Sequence, residues 1–91
     1  MSDRPGAWST DPKAFAVVVG DGVRRHRQAL GWTQVQLAEA AGLSPNYVAR
    51  LERGELGASL FVAYQLSRTL GISVRDLVDA PLRTTRRRMA G

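Results

Sequence analysis

The chain has 91 residues, of which 44% are hydrophobic, and a formal net charge of +5. This length supports one small domain, near the lower limit of what a single hydrophobic core can stabilise. The sequence has no cysteine and one histidine, which excludes disulfides, thiolate metal sites and multi-histidine catalytic or metal sites. No apolar run reaches the roughly 18 residues of a membrane span, and no secretion signal opens the chain. We therefore expect a cytoplasmic protein that does not enter a membrane.

The positive charge is concentrated at the C-terminal end. Formal charges cancel within residues 1–13 and within residues 59–79, and residues 14–58 carry +1, so the remaining +4 lies in residues 83–91. Two interpretations of this tail stay open: a solvated disordered end, or an arm on DNA phosphates or in the minor groove. Residues 1–10 contain Pro, Gly and Ser without apolar periodicity, and we expect a flexible N-terminal arm.

The first predicted helix begins at Asp11, an N-cap acceptor, followed by Pro12, whose ring suits the first helical turn. It ends at Gly31. Gly20 and Gly22 each lower its intrinsic stability by up to about 1 kcal/mol relative to alanine, so tertiary packing must compensate. One apolar stripe recurs along it at helical spacing: Phe15, Val19, Val23, His26 and Leu30.

Two short helices follow. Thr33 with Gln36 three residues later matches a capping box, and the helix that it opens ends at Gly42. The Ser-Pro pair at 44–45 opens a third helix, which ends at Gly54. The chain thus turns from one helix into the next within three residues.

Two further helices are predicted before the tail. Ser59 opens the fourth, which ends at Gly71, and Ser73 with Asp76 opens a short fifth that Pro81 stops. The predicted core face of the fourth helix consists of Leu60, Ala63, Leu66 and Leu70. No segment alternates with period two and no repeat is present. The predicted fold class is all-α, with five helices.

The turn between the second and third helices has the residue types of a tight helix crossing. Ala38 is small where the two helices nearly touch, and Gly42 tolerates a positive φ. Apolar side chains surround the turn: Leu37, Ala41, Leu43, Val48 and Leu51. Two amphipathic helices that merely followed each other would not need both small residues. This order of residue types indicates a helix-turn-helix.

Seven short motifs extend this pattern over residues 15–79: Val23-Arg24 with Arg27, Gly31-Trp32-Thr33-Gln34, Leu37-Ala38, Gly42-Leu43-Ser44, Leu51-Glu52-Arg53-Gly54, Ser59-Leu60 and Leu70-Gly71-Ile72-Ser73. Together they resemble the phage repressor/Cro-like helix-turn-helix regulators, also called the xenobiotic-response-element family. The resemblance implies a compact, lambda-repressor-like domain of five helices. We place that domain at residues 11–82, between the arm at 1–10 and the tail at 83–91.

The resemblance also implies a DNA-binding surface, with the third helix as the recognition helix in the major groove. The expected DNA-binding residues are Gln34, Ser44, Pro45, Asn46, Tyr47, Arg50, Arg53 and Ser59. Asn46 can bond adenine and Arg50 guanine, each with two hydrogen bonds, while Gln34 matches a phosphate-binding glutamine. Pro45 departs from the family, which often has a polar base-reading residue there. Tyr47 is open to two interpretations: it stacks on sugar or a thymine methyl, or it shields the second helix.

Other side chains have structural interpretations. Arg27 and Glu52 match a family ion pair between the first and third helices, and we expect it to hold the fold rather than contact DNA. His26 is expected at the edge of the core, and Trp32 in the core or as a lid over the second helix. Phe61 either covers the N-terminal arm or belongs to a dimer surface.

These observations predict a sequence-specific, double-stranded-DNA-binding transcriptional regulator, acting as a homodimer on a pseudo-palindromic operator. The expected dimer contacts are Val74, Leu77, Val78 and Leu82. The alternative is an antitoxin whose main partner is a toxin protein and whose DNA binding is autoregulatory. RNA polymerase or a toxin is a possible further partner. We expect no enzymatic activity, metal or cofactor.

Overall fold

The computed structural model describes residues 11–78, and all regular structure in that range is helical. The helices are α1 (Pro12–Ala29), α2 (Gln34–Ala41), α3 (Pro45–Glu52), α4 (Leu60–Leu70) and α5, which begins at residue 74 and is described through 78. The predicted all-α fold with five helices is confirmed. The expected arm at 1–10, the tail at 83–91, Leu82 and the helix stop at Pro81 lie outside the described residues.

Short polar side chains begin the helices as predicted. Thr33 forms a full capping box: its hydroxyl accepts from the Gln36 amide at 3.0 Å, and its own amide donates to the Gln36 side chain at 2.8 Å. Single caps begin three other helices, at Asp11, Ser44 and Ser59. Each such cap is worth about 1 kcal/mol, because it satisfies an amide that the helix itself leaves unpaired.

Gly42 turns the chain from α2 into α3. Its φ of 74° lies in the left-handed region, where residues with a Cβ are disfavoured. A Cβ added there would meet no atom within 4 Å. Backbone conformation alone, not crowding, therefore explains the glycine. The Leu43 amide donates to the Ala38 carbonyl at 2.9 Å and closes the end of α2.

The core lies where the five helices meet. Its six largest fully buried side chains come from all of them: Val23, Leu37, Val48, Leu51, Leu66 and Leu77. Trp32 and Leu43 pack against this core while partly exposed, so of the two interpretations of the tryptophan, core or lid, full burial in the core is not observed. All five apolar residues predicted around the turn pack in or against this core.

The predicted core face of α4 is partly wrong, and the apolar stripe of α1 is only partly buried. On α1, Phe15 is 53% and Leu30 47% exposed, whereas Val19 and Val23 are buried. On α4, Leu60 is 79% exposed although its predicted companions Leu66 and Leu70 are buried. Helical spacing identifies residues that share a face, but the neighbouring helices decide how much of that face they cover.

Small residues, not large ones, set the contact face of α1. A Cβ built on Gly20 would overlap the carbonyl oxygen of Leu51 and approach that of Glu52 to 2.9 Å. A Cβ on Gly22 would overlap the Leu77 carbonyl oxygen. The two glycines therefore let α3 and α5 approach the α1 backbone. This is the packing that compensates for their low helix propensity.

Candidate nucleic-acid interface

α3 presents one buried face and one exposed face. Val48 and Leu51 are fully buried and Glu52 is 6% exposed, so the predicted inward face is confirmed. The remaining face contains the exposed residues Pro45, Asn46, Arg50 and Arg53 with the half-buried Tyr47 and Ala49. The buried half of Tyr47 packs against the core, as the shielding interpretation requires. α3 and its C-cap residue Arg53 thus show an amide and two guanidinium groups to solvent.

A buried ion pair sets the orientation of α3 on α1. Arg27 Nε donates to Glu52 Oε2 at 2.7 Å, and Arg27 Nη2 donates to Glu52 Oε1 at 2.9 Å. Arg27 Nη1 also donates to the Trp32 carbonyl at 2.8 Å. The hydrogen bond to Glu52 raises the pKa of Arg27 above its ordinary value. Because both side chains are buried, this pair fixes the end of α3, as predicted from the family resemblance.

Gln34 joins this ion pair. Its Nε2 donates to Glu52 Oε1 at 2.9 Å, linking the start of α2 to the end of α3. An amide nitrogen carries two hydrogens, so one remains to donate to an anion. The expected phosphate contact of Gln34 stays a prediction, and its link to Glu52 is a contact that the sequence did not reveal. The ion pair, α2 and α3 therefore form one connected polar unit.

Arg50 and Arg53 converge on Glu55, which the sequence analysis did not single out. Arg53 Nε donates to Glu55 Oε2 at 2.7 Å, and Arg50 Nε donates to Glu55 Oε1 at 3.4 Å. The hydrogen bond with Arg53 lowers the pKa of Glu55, and the same bond raises the pKa of Arg53. The sequence signal that could have indicated this contact is an acidic residue directly after Gly54, close to two arginines predicted to point outward.

The two expected serine contacts are helix caps. Ser44 Oγ accepts from the Tyr47 amide at 3.0 Å, and Ser59 Oγ accepts from the Val62 amide at 3.1 Å. Each hydroxyl keeps its hydrogen for an outside acceptor. Ser44 opens α3, the helix that carries Asn46 and Arg50, whereas Ser59 opens α4. Within residues 11–78, no hydrogen bond or ion pair links Ser59 to the exposed face of α3.

Three of the expected dimer residues line one apolar groove of about 240 Å³: Val74, Leu77 and Val78. Side chains of α1 and α4, which include Phe15 and Leu60, complete the lining. Leu77 is also fully buried in the core of its own chain, so it contributes packing rather than an exposed contact. Phe61 is 65% exposed at the start of α4. Leu82 lies outside the described residues.

Within residues 11–78, no group of three or more His, Asp or Glu side chains could hold a metal ion. No helix of that segment is both long and apolar enough to cross a membrane.

Comparison with known proteins adds a family to this geometry. A family model described as helix-turn-helix matches residues 23–77. The chain is 41% identical over 49 residues to an HTH-type transcriptional regulator of Methanothermobacter thermautotrophicus, covering 54% of this chain and 71% of the relative. It is 39% identical over 62 residues to the immunity repressor protein of Bacillus phage phi105, covering 68% of this chain and 43% of the repressor.

A solved structure shares the fold. The restriction-modification controller protein C.AhdI of Aeromonas hydrophila is 37% identical, with a TM-score of 0.70 over 74% of this chain and 97% of the controller. The helix-turn-helix match covers α2, the Gly42 turn and α3, the same elements whose geometry is described above. The family is regulatory rather than enzymatic. This chain belongs to the phage repressor/Cro-like (xenobiotic-response-element) family of DNA-binding helix-turn-helix transcriptional regulators.

Proposed function

We propose that the chain is a sequence-specific regulator that binds a pseudo-palindromic operator as a homodimer, with α3 in the major groove. The exposed face of α3 carries this proposal. Asn46 and Arg50 lie four residues apart, so they share a face one helical turn apart. An asparagine recognises adenine and an arginine guanine through two hydrogen bonds each. One short helix can therefore read adjacent base pairs.

Rigid attachment of α3 supports a reading role. The Ser44 cap orders its first turn, and Glu52 joins its last turn to Arg27 and Gln34. A side chain that discriminates between bases must be held near its bonding geometry, because a misplaced donor loses the second hydrogen bond. Ser44 and Arg53 flank the helix and are suited to phosphate contacts, which set the register.

The apolar groove supports a second copy of the chain as partner. Val74 and Val78 line it on α5, and its other lining residues include the exposed Phe15 and Leu60. One α3 reads only a few base pairs, and a two-fold dimer doubles that number. The two α3 helices would lie about 34–36 Å apart, one turn of the DNA duplex.

Selection from a random duplex library tests DNA recognition. We expect enrichment of a two-fold symmetric site, and we expect Asn46→Ala and Arg50→Ala each to weaken binding to it. Arg68→Ala is the matched control, because Arg68 is an exposed arginine on α4, where it stacks on Tyr64. Enrichment of no sequence by the wild-type chain would contradict the proposal.

Molar mass in solution tests the dimer. We expect a dimer at micromolar concentration, and mostly monomer for Val78→Asp, which places a charge in the groove. Gln28→Asp adds the same charge at an exposed position of α1 and should leave the dimer intact. A strictly monomeric wild type, with and without the selected duplex, contradicts a homodimer.

Antitoxin function is a second proposal, supported by the apolar surface at the start of α4. Leu60 and Phe61 are 79% and 65% exposed, which leaves room for a protein partner beside the groove. Purification of the tagged chain from its native cells tests this. A stoichiometric small protein that is toxic when expressed alone would favour the antitoxin; recovery of the chain by itself would favour the simple regulator.

A further inference from the structure

Glu55 is held at a fixed place beside the exposed face of α3. Its amide donates to the Arg50 carbonyl at 3.0 Å, and the Gly54 amide donates to the Leu51 carbonyl at 3.0 Å. These two bonds are the 6→1 and 5→2 bonds of a Schellman motif, which closes a helix end with defined geometry. The backbone of Glu55 therefore cannot drift from the two arginines.

Glu55 contacts the two arginines differently. Arg53 donates from both Nε (2.7 Å) and Nη2 (3.3 Å), so one edge of its guanidinium fork is occupied by the carboxylate. Within residues 11–78, Arg50 donates only from Nε, at 3.4 Å. Its two terminal nitrogens, the pair that bonds guanine O6 and N7, remain available. The Glu55 carboxylate thus accepts hydrogen bonds from Nε and Nη2 of Arg53 but only from Nε of Arg50.

Stability does not explain an acidic residue at this place. Side-chain exposure is 57% for Arg53, 48% for Arg50 and 45% for Glu55, and ion pairs this exposed contribute little to stability. The carboxylate also lies three residues after the last residue of α3, close to the helix C-terminus, where the helix dipole disfavours negative charge. Its role is therefore better sought in binding.

We propose that Glu55 is a positioning residue that sets the sequence specificity of DNA binding: it restrains Arg53 from phosphates and orients Arg50 toward a base. The inference rests on the proposed DNA-reading role of α3. Phosphate contacts strengthen binding to every sequence, whereas a base contact strengthens binding only to the operator. The Glu55 carboxylate competes with phosphate for Arg53 and orients Arg50. It therefore increases the ratio of the affinity for the operator to the affinity for random DNA.

Glu55→Gln tests the proposal, because it removes the charge and keeps the shape. Glu39→Gln is the matched control: Glu39 is an exposed residue of α2 and forms no ion pair within residues 11–78. Affinities are measured by fluorescence anisotropy for the library-selected duplex and for a scrambled duplex of the same composition, at several KCl concentrations. Thermal melting of all variants confirms that the folds are equivalent.

We expect Glu55→Gln to bind the scrambled duplex about two- to fivefold more tightly, the factor by which an exposed ion pair biases an equilibrium. Its log–log salt slope on that duplex should steepen by at most about 0.9, the value for one full phosphate contact, because the restrained Arg53 of the wild type already contributes part of that contact. Affinity for the selected duplex should stay level or fall, so the specificity ratio decreases. An unchanged ratio, or an equal change in Glu39→Gln, overturns the proposal.

A second background separates the two effects of Glu55. In an Arg53→Ala chain, Glu55→Gln should no longer tighten binding to the scrambled duplex, because the restrained arginine is absent. If Glu55→Gln still tightens binding to the scrambled duplex in this background, the proposal that Glu55 restrains Arg53 is overturned. Glu55→Asp keeps the charge and should retain most of the specificity ratio. A wild-type chain that enriches no duplex refutes the proposed function; a wild type that discriminates, with Glu55→Gln discriminating equally, refutes this inference alone.

Discussion

Two of the arginine–glutamate contacts at the end of α3 have the same shortest N–O distance of 2.7 Å but opposite surroundings. In Arg27–Glu52 the side chains are 10% and 3% exposed; in Arg53–Glu55 they are 57% and 45% exposed. Water solvates the Arg53 and Glu55 charges whether they are paired or separated, but the Arg27 and Glu52 charges are shielded from water. The same chemistry therefore holds the helix in one case and remains open to exchange with a ligand in the other.

Loss of the buried carboxylate should have the largest effect. Glu52→Ala leaves Arg27 buried without its acceptor and removes the partner of Gln34, so we expect a loss of about 3–5 kcal/mol in the free energy of unfolding. Glu55→Ala should leave the urea midpoint within error of wild type. Equal losses for the two variants would show that burial does not separate the pairs.

A smaller effect is expected from crowding the backbone beside the buried pair. Gly20→Ala puts a methyl group against the carbonyls of Leu51 and Glu52, and we expect a loss of about 1–3 kcal/mol in the free energy of unfolding. Gly57→Ala is the control, because a Cβ there meets no atom within 4 Å. Calorimetric melting of both variants measures the difference. A Gly20→Ala chain as stable as wild type would contradict the close approach of α3 to α1.

Within the exposed cluster, the two arginines should differ in DNA binding rather than in stability. Arg50→Ala should weaken binding to the selected duplex by about 1–3 kcal/mol and relax preference at one base pair per half-site. Arg53→Ala should weaken selected and scrambled duplexes by similar factors, since phosphate contacts carry no sequence information. Titration of both variants with both duplexes at one salt concentration distinguishes them. A loss for Arg50→Ala that is equal on the two duplexes would assign it a phosphate contact.

The smallest effect concerns a third cluster, on the exposed side of α1. The hydrogen bond from Arg25 lowers the pKa of Asp21 below 3.8. The stabilisation from ionised Asp21 is therefore complete above pH 3.8 and is lost as pH falls through the lower folded-state pKa. Asp21→Asn should reduce the loss of melting temperature on acidification below pH 4, compared with wild type. An identical acid profile would show that the cluster is too exposed to matter.

Local chemistry was sufficient to predict most helix boundaries. Caps at Thr33, Ser44 and Ser59 act on the two or three residues after them, and a left-handed glycine such as Gly42 depends only on its own φ. The inward face of α3 was also predictable, because Val48 and Leu51 are among the apolar residues that the helix-turn-helix pattern places around the turn. Interactions between residues this close in the chain can be predicted directly from the local sequence.

The contacts that define the candidate site depend on neighbours distant in the chain or on rotamers. Gln34 donates a hydrogen bond to Glu52, 18 residues away, and the residues next to Gln34 in the sequence do not indicate this partner. Glu55 could be read from the sequence only as one more surface acid; its position comes from the closing turn of α3 and the directions of two arginine side chains. The DNA contacts of the eight expected residues and the dimer contacts stay predictions.

By itself, then, the sequence determined the helices, their order, the turn at Gly42 and the family, because each depends on residues adjacent along the chain or one helical turn apart. Only the tertiary structure decided which apolar side chains are covered, leaving Phe15 and Leu60 exposed and burying Leu77. It also decided which charges are shielded from water. Hydrophobic periodicity identifies the apolar face of a single helix, whereas burial depends on how several helices pack together. Gly20 and Gly22 permit this packing, because they have no Cβ and the backbones of α3 and α5 can approach α1 closely.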